Sequence, residues 1–334
     1  MIPAIFGLSG PTISADERAF FRDCVPAGYI LFGRNVENRQ QLRALTDALR
    51  DLHGRDDLLI SIDQEGGRVA RMKPPEWRAY PAGEVFAQCY ERAPATAIAA
   101  ARAHAQALGL DLAEAGITVD CWPCLDVRHP GAHDIIGDRA LGEEPLRVAA
   151  LGRAILEGLA AAGVAGVIKH LPGHGRAGAD SHKELPTVHA TPTELETDLA
   201  PFRALAPRAK LAMTGHILFP AWDAQNPATQ SATIIAQIIR QNIGFDGLLM
   251  SDDIDMEALQ GTIPQRAEKA IAAGCDLVLN CWGRMDDMIG IAQSCPTMPA
   301  RAPERLARAM AETRLDATGD QAELLALRDA LLAG

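Results

Sequence analysis

Short apolar runs alternate with longer amphipathic stretches along most of this chain. The runs at 4–8, 29–32, 58–62, 118–122, 163–169, 210–214, 247–251 and 276–279 are too brief for stable helices, and each reads as a strand buried on both faces. Between them, apolar positions recur at helical spacing over 15–23, 39–52, 95–115, 145–162, 193–205, 233–242 and 264–273. A strand–helix unit repeated eight times predicts a parallel sheet closed on itself, a (β/α)8 TIM-like barrel. The alternative is an open doubly wound sheet, but no Gly-x-Gly-x-x-Gly follows the first strand to hold a dinucleotide. Residues 300–334 read as two further helices packed on the outside of the barrel. No Ser/Gly/Pro linker, low-complexity run or second period divides the chain, so residues 1–334 are expected to form a single domain. The long interval from Asp63 to Thr118, with Pro74, Pro75 and Pro81, predicts a surface loop ahead of its helix.

Composition narrows the classes of function. Apolar residues make up 48% of the chain, enough to bury a large core. A net charge of −11 and a pI near 5.3 argue against nucleic acid or an anionic membrane as partner, since both select clustered basic residues. The N-terminus lacks a charged segment followed by a long apolar core and a cleavage site, and no eighteen apolar residues run together. The expectation is a soluble, unexported protein, cytoplasmic and monomeric. Seven cysteines, an odd number without regular spacing, fit reduced thiols. Cys121-Trp-Pro-Cys124 has the spacing of half a zinc or redox site, but no second Cys-x-x-Cys follows.

A barrel of this kind places its chemistry at the carboxyl ends of the strands, and most of the conspicuous polar clusters fall there. Asp63-Gln-Glu65-Gly-Gly-Arg68-Val-Ala-Arg71 follows the third strand; Asp126, His129, His133 and the segment around Arg139 follow the fourth. Thr214-Gly-His216 follows the sixth, Ser251-Asp252-Asp253-Ile-Asp255-Met256 the seventh, and the eighth ends at Asn280. Plainer readings stand beside the functional ones. Asp253 or Asp255 would cap the helix expected from Met256, and Arg68, Arg71 and Arg139 would pair with Asp63 or Glu65. Asp252 directly continues an apolar run and should face the barrel mouth.

The densest cluster follows the fifth strand, where VIKHLPGHGRAGADSHKELP (167–186) carries Lys169, His170, His174, Asp180 and His182. Its glycines permit tight reversals and Pro172 fixes its own φ, so the segment can fold over a ligand. Asp180 and His182 stand two apart, on one face of an extended backbone. A carboxylate beside an imidazole fixes its tautomer and raises its basicity, which gives a proton donor and acceptor near neutral pH. With Asp252 as a nucleophile, that pair supplies the two groups needed to cleave a glycosidic bond through a covalent glycosyl-enzyme, an imidazole standing where a second carboxylic acid usually does.

These motifs resemble the signatures of family 3 glycoside hydrolases: Asp63-QEGGRVAR, the Arg139 neighbourhood, Lys169-HLPGHG with Asp180-Ser-His182, and Ser251-Asp252-Asp-Ile-Asp-Met256. The resemblance is to the single-domain β-N-acetylglucosaminidases that recycle bacterial peptidoglycan fragments in the cytoplasm, and it runs from 28–35 to 273–276. It implies Asp252 as nucleophile, His182 as proton donor and acceptor, and Asp180 as its orienting partner. It also implies that Asp63, Arg71, Arg139, Lys169 and His170 hold a terminal N-acetylglucosamine. The His182 loop would close over the sugar, and no metal or other cofactor would be needed. The chain departs from the family at Leu171, where Phe is common, at Gly215, where Ala is usual, and along 121–133, which is richer in cysteine and histidine.

Two other readings compete. In a metal-dependent hydrolase, His170, His174, Asp180 and His182 would be ligands with Asp252 or Asp253; but His-x-x-x-His aligns on a helix, and this one spans Pro172 and Gly173. A sugar-binding module without catalysis would require a damaged nucleophile or dyad. Chelation separates the first: turnover is expected to be unchanged after exhaustive dialysis against EDTA, and loss restored by a divalent ion would favour the metal reading.

Overall fold

Eight parallel strands close in sequence order: β1 (Ile2–Gly7), β2 (Pro26–Leu31), β3 (Leu59–Ile62), β4 (Val119–Asp120), β5 (Ala165–Leu171), β6 (Leu211–Thr214), β7 (Leu248–Asp253) and β8 (Leu277–Asn280), with β8 pairing back onto β1. The computed structural model describes residues 1–316 and 319–334. It is the (β/α)8 barrel expected from the alternating pattern.

Alternate residues of each strand serve two cores, which is why the strands read as continuous apolar runs. Ile5, Ile30, Leu59, Val119, Val167, Leu211, Met213, Leu248, Met250, Leu277 and Leu279 fill the barrel lumen. Their neighbours Ala4, Phe6, Tyr29, Leu31, Ile60, Ile62, Ile168, Ala212, Leu249 and Val278 face the surrounding helices. The inward parity carried past the last lumen residue falls on Asp63 just after β3, Lys169 in β5, Asp252 in β7 and Cys281 after β8. All four line one cavity at the barrel mouth. The strand period thus delivers functional groups from non-adjacent strands to one place.

The helices are α1 (Ala15–Cys24), α2 (Arg39–His53), α3 (Gly83–Arg92), α4 (Pro94–Glu114), α5 (Pro145–Ala161), α6 (Pro192–Leu205), α7 (Ile263–Ala273), α8 (Met285–Ser294), α9 (Ala302–Met310) and α10 (Gln321–Ala333). Between β6 and β7, Ile234–Asn242 winds as a π-helix. The sequence reading missed α3 and α8, each ten residues long. α3 lies in the stretch expected to be loop, and a single residue, Ala93, separates it from α4, so the two apolar stripes run together.

The tail corrects a second expectation. Its two helices form, and α10 packs on α4 at the flank. α9 instead lies across the amino ends of the strands, where Leu306, Ala309 and Met310 join the lumen core. It is held there by charge. The buried Asp276 carboxylate accepts hydrogen bonds from Arg240 Nη2 at 2.8 Å, Arg305 Nη1 at 2.9 Å and the Leu249 N–H at 2.9 Å. Arg305 also bonds Asp246 at 3.0 Å. Removing one member of such a group leaves uncompensated charge, so Asp276→Ala is expected to cost about 3–5 kcal/mol in urea unfolding. Arg305→Met, which keeps the Arg240 pair, is expected to cost less, and equal losses would contradict the ion-pair account.

Candidate active site

Three cationic side chains and two carboxylates interlock at the mouth. Lys169 is 2% exposed, and its Nζ lies 3.1 Å from Asp63 Oδ1 and 2.7 Å from Glu65 Oε1. Arg139 grips Glu65 with two bonds, Nε to Oε2 at 2.9 Å and Nη2 to Oε1 at 2.8 Å, and Arg71 Nη2 donates to Asp63 Oδ2 at 3.1 Å. Burial on its own would raise both carboxyls. The Arg139 guanidinium and the Lys169 ammonium outweigh it at Glu65 and hold that group at about 2, while Lys169 and Arg71 hold Asp63 below the usual range. Gln64 braces the turn, accepting from the N–H groups of Arg71 and Met72. The plain reading of Arg71 and Arg139 as partners of Asp63 and Glu65 therefore holds alongside their position in the cavity lining. Arg68 differs: it turns to Asp138 at 2.7 Å and to the carbonyl oxygens of Asp134, Ile135 and Ile136.

His170 is anchored from behind. Its Nδ1 lies 2.6 Å from Asp126 Oδ2, which leaves Nε2 for the cavity. Asp126 Oδ1 also accepts from the backbone N–H of His170 at 3.3 Å and of His174 at 2.6 Å, so one buried carboxylate ties the end of β5 to the start of the next loop. Gly175 is required there, because a Cβ at that position would sit 1.7 Å from the Val127 carbonyl oxygen. His174 is buried; the same burial lowers it to about 4, against the pull of Asp126, and its Nε2 meets Ser181 Oγ at 3.1 Å. The loop is thereby pinned at its base and just before His182.

At the rim, Asp180 Oδ1 accepts from the His182 backbone N–H at 3.0 Å and lies 2.8 Å from His182 Nδ1, so Nε2 is the free nitrogen of a 61% exposed ring. Those bonds hold the Asp180 carboxyl below its usual range against partial burial. Across the mouth, Asp252 Oδ1 accepts from the Asp253 N–H at 2.8 Å. Burial would raise the Asp252 carboxyl, but His170 and His216, then the Asp253 N–H and His182, draw it below its usual range, so it is an anion. Asp252 and His182 line the same cavity of about 200 Å³ with Asp63, Arg71, Arg139, Lys169 and His170, while Asp180 stands behind His182. All eight residues singled out from the sequence thus belong to one constellation. A larger depression of about 720 Å³ lies at the opposite end of the barrel among Arg43, Asp47, Arg50, Asp57 and Asp316, remote from these groups.

Asp126 and His216 were visible as strand-end residues but had no role assigned, because their partners lie 44 and 13 or more positions away. Among the described residues, the one set of three potential metal ligands within 4.8 Å of one another is Cys124, Asp126 and His170, and Cys124 Sγ already donates to Asp126 at 3.1 Å. The ligands named for the metal alternative do not gather: His174 turns to Ser181 and His182 to Asp180. Cys121 belongs to the lumen core, and burial pushes both it and Cys124 well above the usual thiol range, so neither has the character of a reactive thiolate. Gly215 packs on His170; a Cβ there would lie 3.3 Å from His170 Cβ.

Residues 6–309 match the family model described as the glycosyl hydrolase family 3 N terminal domain. A beta-hexosaminidase of Alkalilimnicola ehrlichii is 41% identical over 84% of this chain and 80% of its own length. One from Bordetella pertussis is 37% identical over 92% and 87%. Among solved structures, NagZ from Neisseria gonorrhoeae in complex with N-trifluoroacetyl-D-glucosamine superposes with a TM-score of 0.88 at 33% identity, covering 99% of this chain and 97% of its own.

The charge network has a consequence for acid stability. The folded Glu65 carboxyl lies below its unfolded value, so its contribution is fully present above about pH 4.5 and is lost as pH falls towards about 2. Lys169→Met removes one of the cations that hold it down, and the acid-unfolding midpoint followed by circular dichroism is expected to move to higher pH. An unchanged midpoint would mean that Lys169 does not set the ionisation of its neighbours.

Proposed function

This chain belongs to glycosyl hydrolase family 3, and from that premise we propose that it is a retaining exo-β-N-acetylglucosaminidase acting through a covalent intermediate on Asp252. The observation that carries the reading is that an anionic Asp252 and a His182 with a free Nε2 line one small cavity whose remaining polar groups suit sugar hydroxyls and an amide. The names of the relatives, beta-hexosaminidases, and the amide-bearing glucosamine bound by the gonococcal neighbour support the same substrate class.

In the first step Asp252 attacks the anomeric carbon, the bond to the leaving oxygen breaks, and protonated His182 gives that oxygen its proton. In the second, neutral His182 takes a proton from water as the water oxygen displaces Asp252 from the sugar. Inversion occurs twice, so the β-configuration is retained. Asp180 steadies the imidazolium that donates in the first step and forms again in the second. Asp63, Arg71, Arg139, Lys169 and His170 bind the terminal N-acetylglucosamine, and a cavity of about 200 Å³ suits one terminal sugar. The exposed His182 side of the mouth leaves room for a bulky leaving group, which fits muropeptides of the N-acetylglucosaminyl-anhydromuramic acid type. No metal or cofactor has a part in these steps.

We place the enzyme in the cytoplasm as a single-domain monomer. Its cysteines are free, as a reducing compartment would keep them, and among the described residues no helix is long and apolar enough to cross a membrane.

Proton NMR of the nascent product tests the stereochemistry: the β-anomer of N-acetylglucosamine should appear first and mutarotate later, whereas initial α-anomer would refute retention. Asp252→Asn is expected to abolish turnover while binding of N-acetylglucosamine persists; full turnover would leave only some other nucleophile. His182→Ala should lower kcat/KM by about 10²–10⁴-fold for natural leaving groups and by much less in glycosylation with a dinitrophenyl leaving group. Equal losses with both would show that His182 is not the acid.

A further inference from the structure

His216 is fully buried beneath the cavity and touches none of the sugar-binding groups by hydrogen bond. Its two ring nitrogens nevertheless have definite partners. Nε2 lies 2.9 Å from the backbone carbonyl oxygen of Asp253, and Nδ1 lies 2.7 Å from Thr229 Oγ1, which in turn lies 2.8 Å from Thr214 Oγ1. A carbonyl oxygen can only accept, so Nε2 must carry the proton. Nδ1 of a neutral ring then accepts from the Thr229 hydroxyl at 2.7 Å, in preference to the Gly215 carbonyl oxygen that lies farther from that hydroxyl at 3.2 Å, and Thr229 accepts from Thr214. Burial, which pushes this imidazole towards its neutral form, agrees with that direction. The hydrogen bonds run one way, from Thr214 at the end of β6 to the Asp253 carbonyl at the end of β7.

At the far end of this hydrogen-bonded chain the barrel ladder is irregular. The β7–β8 register shifts between Met250 and Asp253, so Asp252 sits in a stretch that the sheet ladder does not fix by itself. Asp253 takes over that task with its own groups. Its N–H orients Asp252 Oδ1 at 2.8 Å, its side chain accepts from the N–H groups of Asp255 and Cys281, and its carbonyl is shared between His216 and the Met256 N–H at 3.1 Å. Of the groups that hold this residue, His216 is the side-chain donor from the neighbouring strand end.

We propose that His216 is a positioning residue for the nucleophile: by donating Nε2–H to the Asp253 carbonyl it fixes Asp253, the residue whose N–H holds Asp252 Oδ1, and so aims the attacking carboxylate. This rests on the reading of Asp252 as nucleophile. The effect belongs to the chemical steps and not to sugar binding, because His216 lies outside the groups that grip the sugar. A misplacement of about 1 Å at a reacting atom costs on the order of 10²-fold in rate, which sets the scale expected.

The test is a kinetic comparison of four single variants and one double variant of the full chain on an aryl N-acetylglucosaminide, with the inhibition constant of N-acetylglucosamine measured alongside. Asp252→Gly comes first, and retention of its activity would overturn the nucleophile reading itself. Given its loss, His216→Ala is expected to lower kcat by about 10²-fold with KM and the inhibition constant within about threefold of wild type. His216→Gln, whose amide nitrogen can reach the place of Nε2, is expected to recover at least about tenfold of that loss. Thr229→Val, a nearly isosteric change that folds even if His216→Ala does not, should lower kcat alone by a smaller factor and add nothing in a His216→Ala background. Wild-type kcat in both His216→Ala and Thr229→Val would overturn the inference. So would a His216→Gln as poor as His216→Ala, or losses of binding and kcat in equal proportion, which would mark a merely structural histidine.

Discussion

A buried ammonium held between two carboxylates is the constraint on which this site depends. Lys169 can stay charged inside a barrel only because Asp63 and Glu65 lie within about 3 Å of it, and those carboxylates stay ionised only because Arg71 and Arg139 complete the set. No member can be removed without leaving a buried charge exposed to its neighbours. The cavity is thereby lined with oriented donors and acceptors before any ligand arrives, and binding there needs little rearrangement of the protein.

The barrel supplies the second condition, which is convergence. Side chains two apart on a strand point the same way, so the residues that fill the lumen also set where the functional groups emerge. Asp63, Lys169 and Asp252 come from strands separated by more than 80 positions in sequence, yet they share one cavity because each continues an inward parity. Opposite demands are then met around one mouth. The Lys169 side is rigid and enclosed, while the Asp180–His182 side is exposed on a loop pinned at His174 and Ser181. Such a division suits a reaction that must hold one sugar firmly and let different leaving groups depart.

Much of this was legible in the sequence because its signals are local. Apolar runs of four to seven residues gave all eight strands, with differences of a few residues at their ends, and polar residues directly after those runs marked the mouth. Asp180-x-His182 could be read as a dyad because both members lie in one short loop. What escaped depends on long-range packing. α3 and α4 merge in the pattern because one residue separates them, and the placement of α9 across the barrel end follows from an ion network that joins Arg240, Asp276 and Arg305. Asp126 and His216 are likewise single polar residues at strand ends, and nothing nearby in the chain announces that one braces His170 and the other the carbonyl of Asp253.

The account as a whole turns on a covalent bond between the sugar and Asp252. The direct measurement is intact-mass analysis after incubation with a 2-acetamido-5-fluoro glycosyl fluoride, followed by peptide mapping of the adduct. The account predicts one added fluorosugar per chain, located on Asp252. An adduct on any other residue, or turnover of the reagent by an enzyme that never becomes labelled, would contradict it.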